Sequence, residues 1–178
     1  MKIFFVAFIG LSLVSCIDLE KSDQLARIDA MNATLDSIET VFNDNQIDSL
    51  AVIKLNAYSV ENRIKNNYNS DTINMELGRK MDAFKVMRKN LTPLSKAITG
   101  INSGLEEERS KLIELKTDID NSNGERDKYE EHLLFEEAKV DQMCALITDY
   151  VLTKNISLAT YEEIYVELNE FSMSLLKK

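Results

Sequence analysis

Few residues in this 178-residue chain have side chains that could do chemistry. His132 is the only histidine, and Glu136 follows it one helical turn later, on the same face. Glu108 and Glu136 are the two carboxylates that interrupt otherwise apolar periodic series, so a divalent-cation site would have to be built from Glu108, Glu136 and His132. The expectation is blander, with no metal bound and the two glutamates meeting across neighbouring helices as one polar layer. Asn32 would lie at the same level, with Arg109, Lys111 and Lys139 close enough in sequence to neutralise the charge. Two carboxylates in a partly dry seam repel, which should raise the pKa of one of them. A second cluster, Asp118, Asp120 and Ser122, alternates like a calcium loop, but Gly124 falls one place late and Tyr129 stands where a bidentate glutamate is required. The chain has no glycine-rich phosphate loop, no zinc-type histidine pair and no nucleophile elbow. These features predict a protein that is not an enzyme and carries no cofactor.

The two cysteines divide by context. Lys2 and the uncharged run Ile3 to Val14 have the length and polarity of a secretory leader, too short to cross a bilayer permanently. The run ends in Leu13-Val14-Ser15-Cys16, which resembles a bacterial lipobox. That resemblance implies a leader of residues 1–15, thioether lipidation of Cys16 as the new first residue, and a mature protein held on a membrane by two or three acyl chains without spanning it. Cys144 would then be the sole remaining thiol, which excludes an intramolecular disulfide and a cysteine metal cluster. It is expected to be a small buried hydrophobe.

Three tripeptides, Asp36-Ser37-Ile38, Asp48-Ser49-Leu50 and Asp71-Thr72-Ile73, resemble the acceptor for protein O-glycosylation in Bacteroidetes-type bacteria. Ser37, Ser49 and Thr72 would be the acceptors. The competing structural reading makes Asp48 and Asp71 helix caps and leaves Ser37 on a solvated face. Lipobox, tripeptides and helical periodicity together resemble the uncharacterised coiled-coil lipoproteins of that group. Position 17 is Ile where an aspartate would retain an enterobacterial lipoprotein in the inner membrane, so the resemblance implies attachment to the outer membrane. Asp18 and Glu20 only faintly match an acidic surface-export signal, which favours the periplasmic face over the cell surface.

Composition supports this class. The chain is 44% hydrophobic and 29% charged with five Gly and one Pro, which favours long helices. Its net charge of −9 grows one unit more negative when Lys2 leaves with the leader. Such a surface repels phosphate backbones, so nucleic acid is excluded as a partner and membrane contact should come from the lipid. The expected partner is another protein, docked on a tether or spacer; the alternative is a periplasmic binding protein or chaperone that grips its ligand in an apolar pocket.

The elements that would position these residues follow from periodicity. Leu77, Phe84, Met87, Leu91, Leu94, Ile98, Ile101, Leu105, Leu112, Leu115 and Ile119 recur at steps of three and four, with Lys80 and Glu108 as polar exceptions. Tyr129, Leu133, Val140, Met143, Ile147, Tyr150, Tyr161, Ile164, Leu168, Phe171 and Leu175 form another seam, broken by Glu136, Lys154 and Ser157. Upstream, the stripes Ile28 to Phe42 and Leu50 to Ile64 are offset by a stutter at Asn43 to Gln46. The spacing predicts an all-α domain over 16–178 with helices over about 19–67, 72–121 and 125–177, each spanning roughly 75 Å. Short connections imply an elongated antiparallel three-helix bundle, kinked where Asn43 to Gln46, Pro93 and Thr153 to Ser157 fall at one level. The alternative breaks the chain there into five or six shorter helices.

Overall fold

The computed structural model describes the backbone of residues 3–47 and 49–177, and the side chains of 19–47 and 49–177. The protein is all-helical, 89% helix, with no strand among the described residues. The elements are α1 (Ile3–Asp44), α2 (Leu50–Asn67), α3 (Met75–Asn121), a 3-10 turn (Arg126–Lys128) and α4 (Tyr129–Leu175). This order lies closer to the alternative of five or six helical pieces than to three uninterrupted helices. No helix among the described residues is long and apolar enough to cross a membrane.

The correction falls on the first expected helix. The stutter at Asn43 to Gln46 is a break: α1 stops at Asp44, and the amides of Asn45 and Gln46 turn back to the carbonyls of Phe42 and Asn43 at 3.0 and 3.3 Å. Gln46 Nε2 also donates to Asn43 Oδ1 at 3.0 Å, so short polar side chains supply the bonds that a continued helix would have made. By contrast, α3 runs unbroken through Pro93 and α4 through Thr153 to Ser157. Two starts are also displaced. The second long helix begins at Met75, where Asn74 Oδ1 accepts the amide of Leu77 at 3.0 Å, so Asn74 and not Asp71 caps it. Asp48 lies outside the described residues, and Ser49 occupies the N-cap position of α2 without a side-chain bond.

The turn between α3 and α4 closes through a left-handed residue. Ser122, at φ 54°, takes the left-handed position just past α3. The amide of Asn123 reaches the Asp118 carbonyl at 2.8 Å and that of Ser122 reaches Ile119 at 3.1 Å, the paired bonds of a Schellman ending. Gly124, at φ 78°, follows in a conformation that strains other residues. Glu125 then precedes the 3-10 turn and pairs with Lys128, so α4 starts at Tyr129 and not at 125. The Tyr129 hydroxyl lies 3.0 Å from the Asp118 carbonyl and also meets that of Asn123, tying the new helix to the end of the old one.

Two compact units share these helices. The first contains residues up to 41 and 102–145. In it α1 runs antiparallel to α3, as the pairs Lys21–Asp120, Asp29–Lys116 and Asp36–Arg109 show, and parallel to α4, where Arg27 meets Glu130 and Glu137. The second unit contains 42–101 and 146–178. There Glu61 of α2 pairs with Arg88 of α3, Lys80 of α3 with Glu167 of α4, and Arg63 of α2 bonds Asn169 and Ser172 of α4.

In both units the interior is the set of seams. Ile28, Leu35, Phe42, Ala57, Val60, Phe84, Leu91, Ile101, Leu112, Ile119, Leu133, Ile147 and Leu168 are sealed from water. Removing such apolar surface from water is the main driving force for assembly, at about 25 cal/mol per Å². Ile73 is excluded from the seam: it sits on the connector before α3 and is 88% exposed.

Candidate functional site

The two glutamates that interrupt the seams, Glu108 and Glu136, lie in the first unit. Glu108 is half-buried on α3, one turn from buried Leu105 and Leu112. Burial raises the Glu108 carboxyl above its ordinary pKa, the nearby charge of Glu136 raises it further, and the Lys139 ammonium opposes them. Glu108 Oε2 is shut off from solvent with no hydrogen-bond partner.

The other expected members do not join. His132 is exposed on the outer face of α4, and no group of three histidine, cysteine or carboxylate side chains among the described residues could hold a metal ion. Asn32 turns its amide onto the Ile28 carbonyl of its own helix at 3.1 Å. Arg109 is drawn to α1, with Asp36 at 2.7 Å and Glu39 at 2.6 Å, because two carboxylates there offer it a better-solvated pair than the dry seam does. Lys111 pairs with Glu114 at 3.0 Å, and the Lys139 ammonium lies 5.5 Å over the Phe135 ring. Lys139 acts on Glu108, and Lys111 also feels the charge of Glu136.

The remaining sequence candidates are dispersed. Ser37 is exposed on α1 and Ser49 is exposed at the α1–α2 break. Thr72 is exposed on the connector 68–74, where its amide donates to Ser70 Oγ at 3.3 Å. Cys16 and the leader lie outside the residues whose side chains are described. Cys144 is half-buried, and burial pushes its thiol above the ordinary value.

Sequence reasoning missed the latch at the α1–α2 break. Lys154 of α4 is buried, 8% exposed, and its ammonium donates to Asn45 Oδ1 at 2.6 Å. The Tyr150 hydroxyl approaches the Asn45 carbonyl at 3.5 Å, and the Tyr150 ring meets Phe42 edge-on at 5.3 Å. The signal was present in the polar exception at position 154, facing a break rich in amide oxygens. Tyr150 also lines a recess of about 80 Å³ together with Pro93, Ala97, Asp149 and Thr153. A second recess of about 80 Å³ lies under the α3–α4 turn, between Gln24, Ile119 and Tyr129. A further depression along Leu19, Ser22 and Ala26 is open and lined by one helix alone.

No family model, no curated protein and no solved structure matches this chain.

Proposed function

We propose that the protein is a non-enzymatic lipoprotein, lipidated at Cys16, that stands on the periplasmic face of an outer membrane as a tether, spacer or docking surface for another protein. The observation that carries this reading is the apolar run Ile3 to Val14 ending in Leu13-Val14-Ser15-Cys16. Support for a spacer over a ligand carrier comes from the interior. Ligand sites occupy roughly 300–1,000 Å³, whereas the recess beside Pro93 has about 80 Å³. An elongated bundle is part of the same reading, supported by the sustained heptad spacing and by α3 and α4, each 47 residues long. Glycosylation at Ser49 and Thr72 would fit their exposed positions off the helices better than Ser37 within α1.

Fractionation of cells expressing Cys16→Ser tests the anchor: the variant moves to the soluble fraction, and a variant still requiring detergent rules out lipidation as the attachment. Small-angle scattering on the protein without its leader should give a maximum dimension of roughly 75–80 Å for the elongated arrangement. A value near about 50 Å, expected of a compact chain of this size, would reject it. Crosslinking in intact cells then identifies the docked protein.

A further inference from the structure

Part of the second unit departs from the charge of the chain. Residues 50–67 and 75–96, which are α2 and the first half of α3, hold nine of the 21 Lys and Arg but only three of the 30 Asp and Glu. This stretch is net positive in a protein of net charge −9. Lys54, Lys65, Lys85, Lys89 and Lys96 are all exposed there, and none of them is paired with a carboxylate among the described residues.

Helix geometry gathers these lysines along one groove. α2 runs parallel to α4, through Asn56–Tyr161 and Arg63–Asn169, and α4 runs antiparallel to α3, through Phe84–Tyr161 and Lys80–Glu167. α2 and α3 are therefore antiparallel, and Arg88 donates to Glu61 across their boundary at 2.6 and 3.1 Å. Lys54 stands two turns before Glu61 and Lys65 one turn after it, on the same face of α2. On α3, Lys85 stands one turn before Arg88, and Lys96 lies three turns beyond Lys85 on the same face. The antiparallel register sets Lys54 level with Lys96 and Lys65 level with Lys85, two rows of ammonium groups with Lys89 beside the second. Tyr58, one turn before Glu61, is 52% exposed, with the Arg88 guanidinium 5.7 Å over its ring, and Leu55, a turn further on, is 63% exposed.

We propose, resting on the docking role above, that this α2–α3 groove is where the partner protein docks, and that the partner presents an acidic amphipathic helix to it. Its carboxylates meet the lysine rows, and its apolar side meets Tyr58 and Leu55. The lysines of each row recur at a three-turn spacing, which a helix laid along the groove matches with carboxylates at the same interval. The one guanidinium at the boundary, Arg88, already has its fork filled by Glu61, so the groove lacks the planar donor that selects phosphate groups. A tyrosine and a leucine open to solvent within a charged rim are the makings of a protein interface.

Anisotropy titrations of the full chain against a labelled synthetic peptide test this. The probe is a helix of about three heptads with Leu at a and d and Glu at e and g, and a control keeps every Glu but replaces Leu with Ser. The Leu peptide should bind, more weakly as salt rises, and the Ser control should bind about tenfold more weakly or worse. Combined Lys54→Glu, Lys85→Glu and Lys89→Glu, three exposed positions, should weaken binding of the Leu peptide by about tenfold or more while the melting curve stays that of wild type. The proposal is overturned if wild type does not bind the Leu peptide, if the two peptides bind alike, or if the charge-reversed protein binds as wild type does. Phosphatidylglycerol vesicles and sedimentation of the chain alone supply the other occupants. Vesicle binding or self-association that the same reversal abolishes overturns the proposal in favour of a lipid surface or a second copy. Cys16→Ser fractionation tests the anchor separately, so failure of either leaves the other standing.

Discussion

At the residue scale, the seams tolerate a few polar side chains, each by a different means. Ser157 is 1% exposed, and its hydroxyl has no hydrogen-bond partner. A buried unsatisfied hydroxyl costs about 1–3 kcal/mol, and Ser is a weaker helix former than Ala. Ser157→Ala should therefore stabilise the protein by about 1 kcal/mol, read as a higher urea midpoint with unchanged slope. A lower midpoint would mean that the hydroxyl is satisfied in solution. Ser172, 0% exposed, shows the contrast: its hydroxyl accepts from Arg63 Nε at 3.0 Å and donates to the Asn169 carbonyl at 2.8 Å, so the same substitution there would orphan a guanidinium. Both serines are buried on α4; only the neighbouring helix distinguishes them.

At the element scale, the α1–α2 break is defined by the groups that answer it. The chain leaves the helix at Asn45, and Lys154 supplies the ammonium that its side-chain oxygen accepts. A hydrogen bond to a charged group contributes about 1.5–3 kcal/mol, and removing one partner leaves the buried charge exposed to a poor environment. Asn45→Ala should cost about 2 kcal/mol by urea unfolding. Lys154→Met, which keeps the volume and removes the charge, should be nearly neutral. Equal losses from the two would mean that Lys154 acts chiefly through another contact. Periodicity revealed the offset between the stripes before and after Asn43 to Gln46, but an offset is compatible with a stutter in one helix or with a break between two. Hydrogen bonds from Asn45 and Gln46 back to Phe42 and Asn43, together with the cation from α4, select the break. The same limit applied to Pro93. Proline weakens a helix by roughly 3 kcal/mol, yet buried Leu91 and Leu94 on either side hold α3 continuous.

For the whole molecule, stability should peak in mild acid. The Arg27 guanidinium holds the Glu137 carboxyl below its ordinary value of 4.5, so the stability from that pair is present above pH 4.5 and is lost as pH falls through the lower folded value. Glu108 works in the opposite sense, losing stability as pH rises above 4.5. The overall charge of −9 at pH 7 adds self-repulsion that acid relieves. Melting temperature should therefore pass through a maximum near about pH 5 and decline on both sides. A maximum at pH 7 or above would show that the exposed ion pairs outweigh the Glu108 carboxyl.

What the amino-acid order determined by itself is the class and the inward faces. Heptad spacing depends only on 3.6 residues per turn and on the gain from burying apolar side chains, so Leu91, Ile101, Leu112, Leu133 and Ile147 could be assigned to the interior from position alone. Glu108 and Glu136 stood out for the same reason, as polar exceptions at matching antiparallel positions. Tertiary structure decided where long polar side chains go. Arg109, Lys111, Asn32 and His132 each had several partners within reach in sequence. Arg109 went to the carboxylates of α1, whereas Lys111 and Asn32 found partners on their own helices. Flexible side chains carry little directional information in their spacing, whereas branched apolar side chains on a helix carry a great deal.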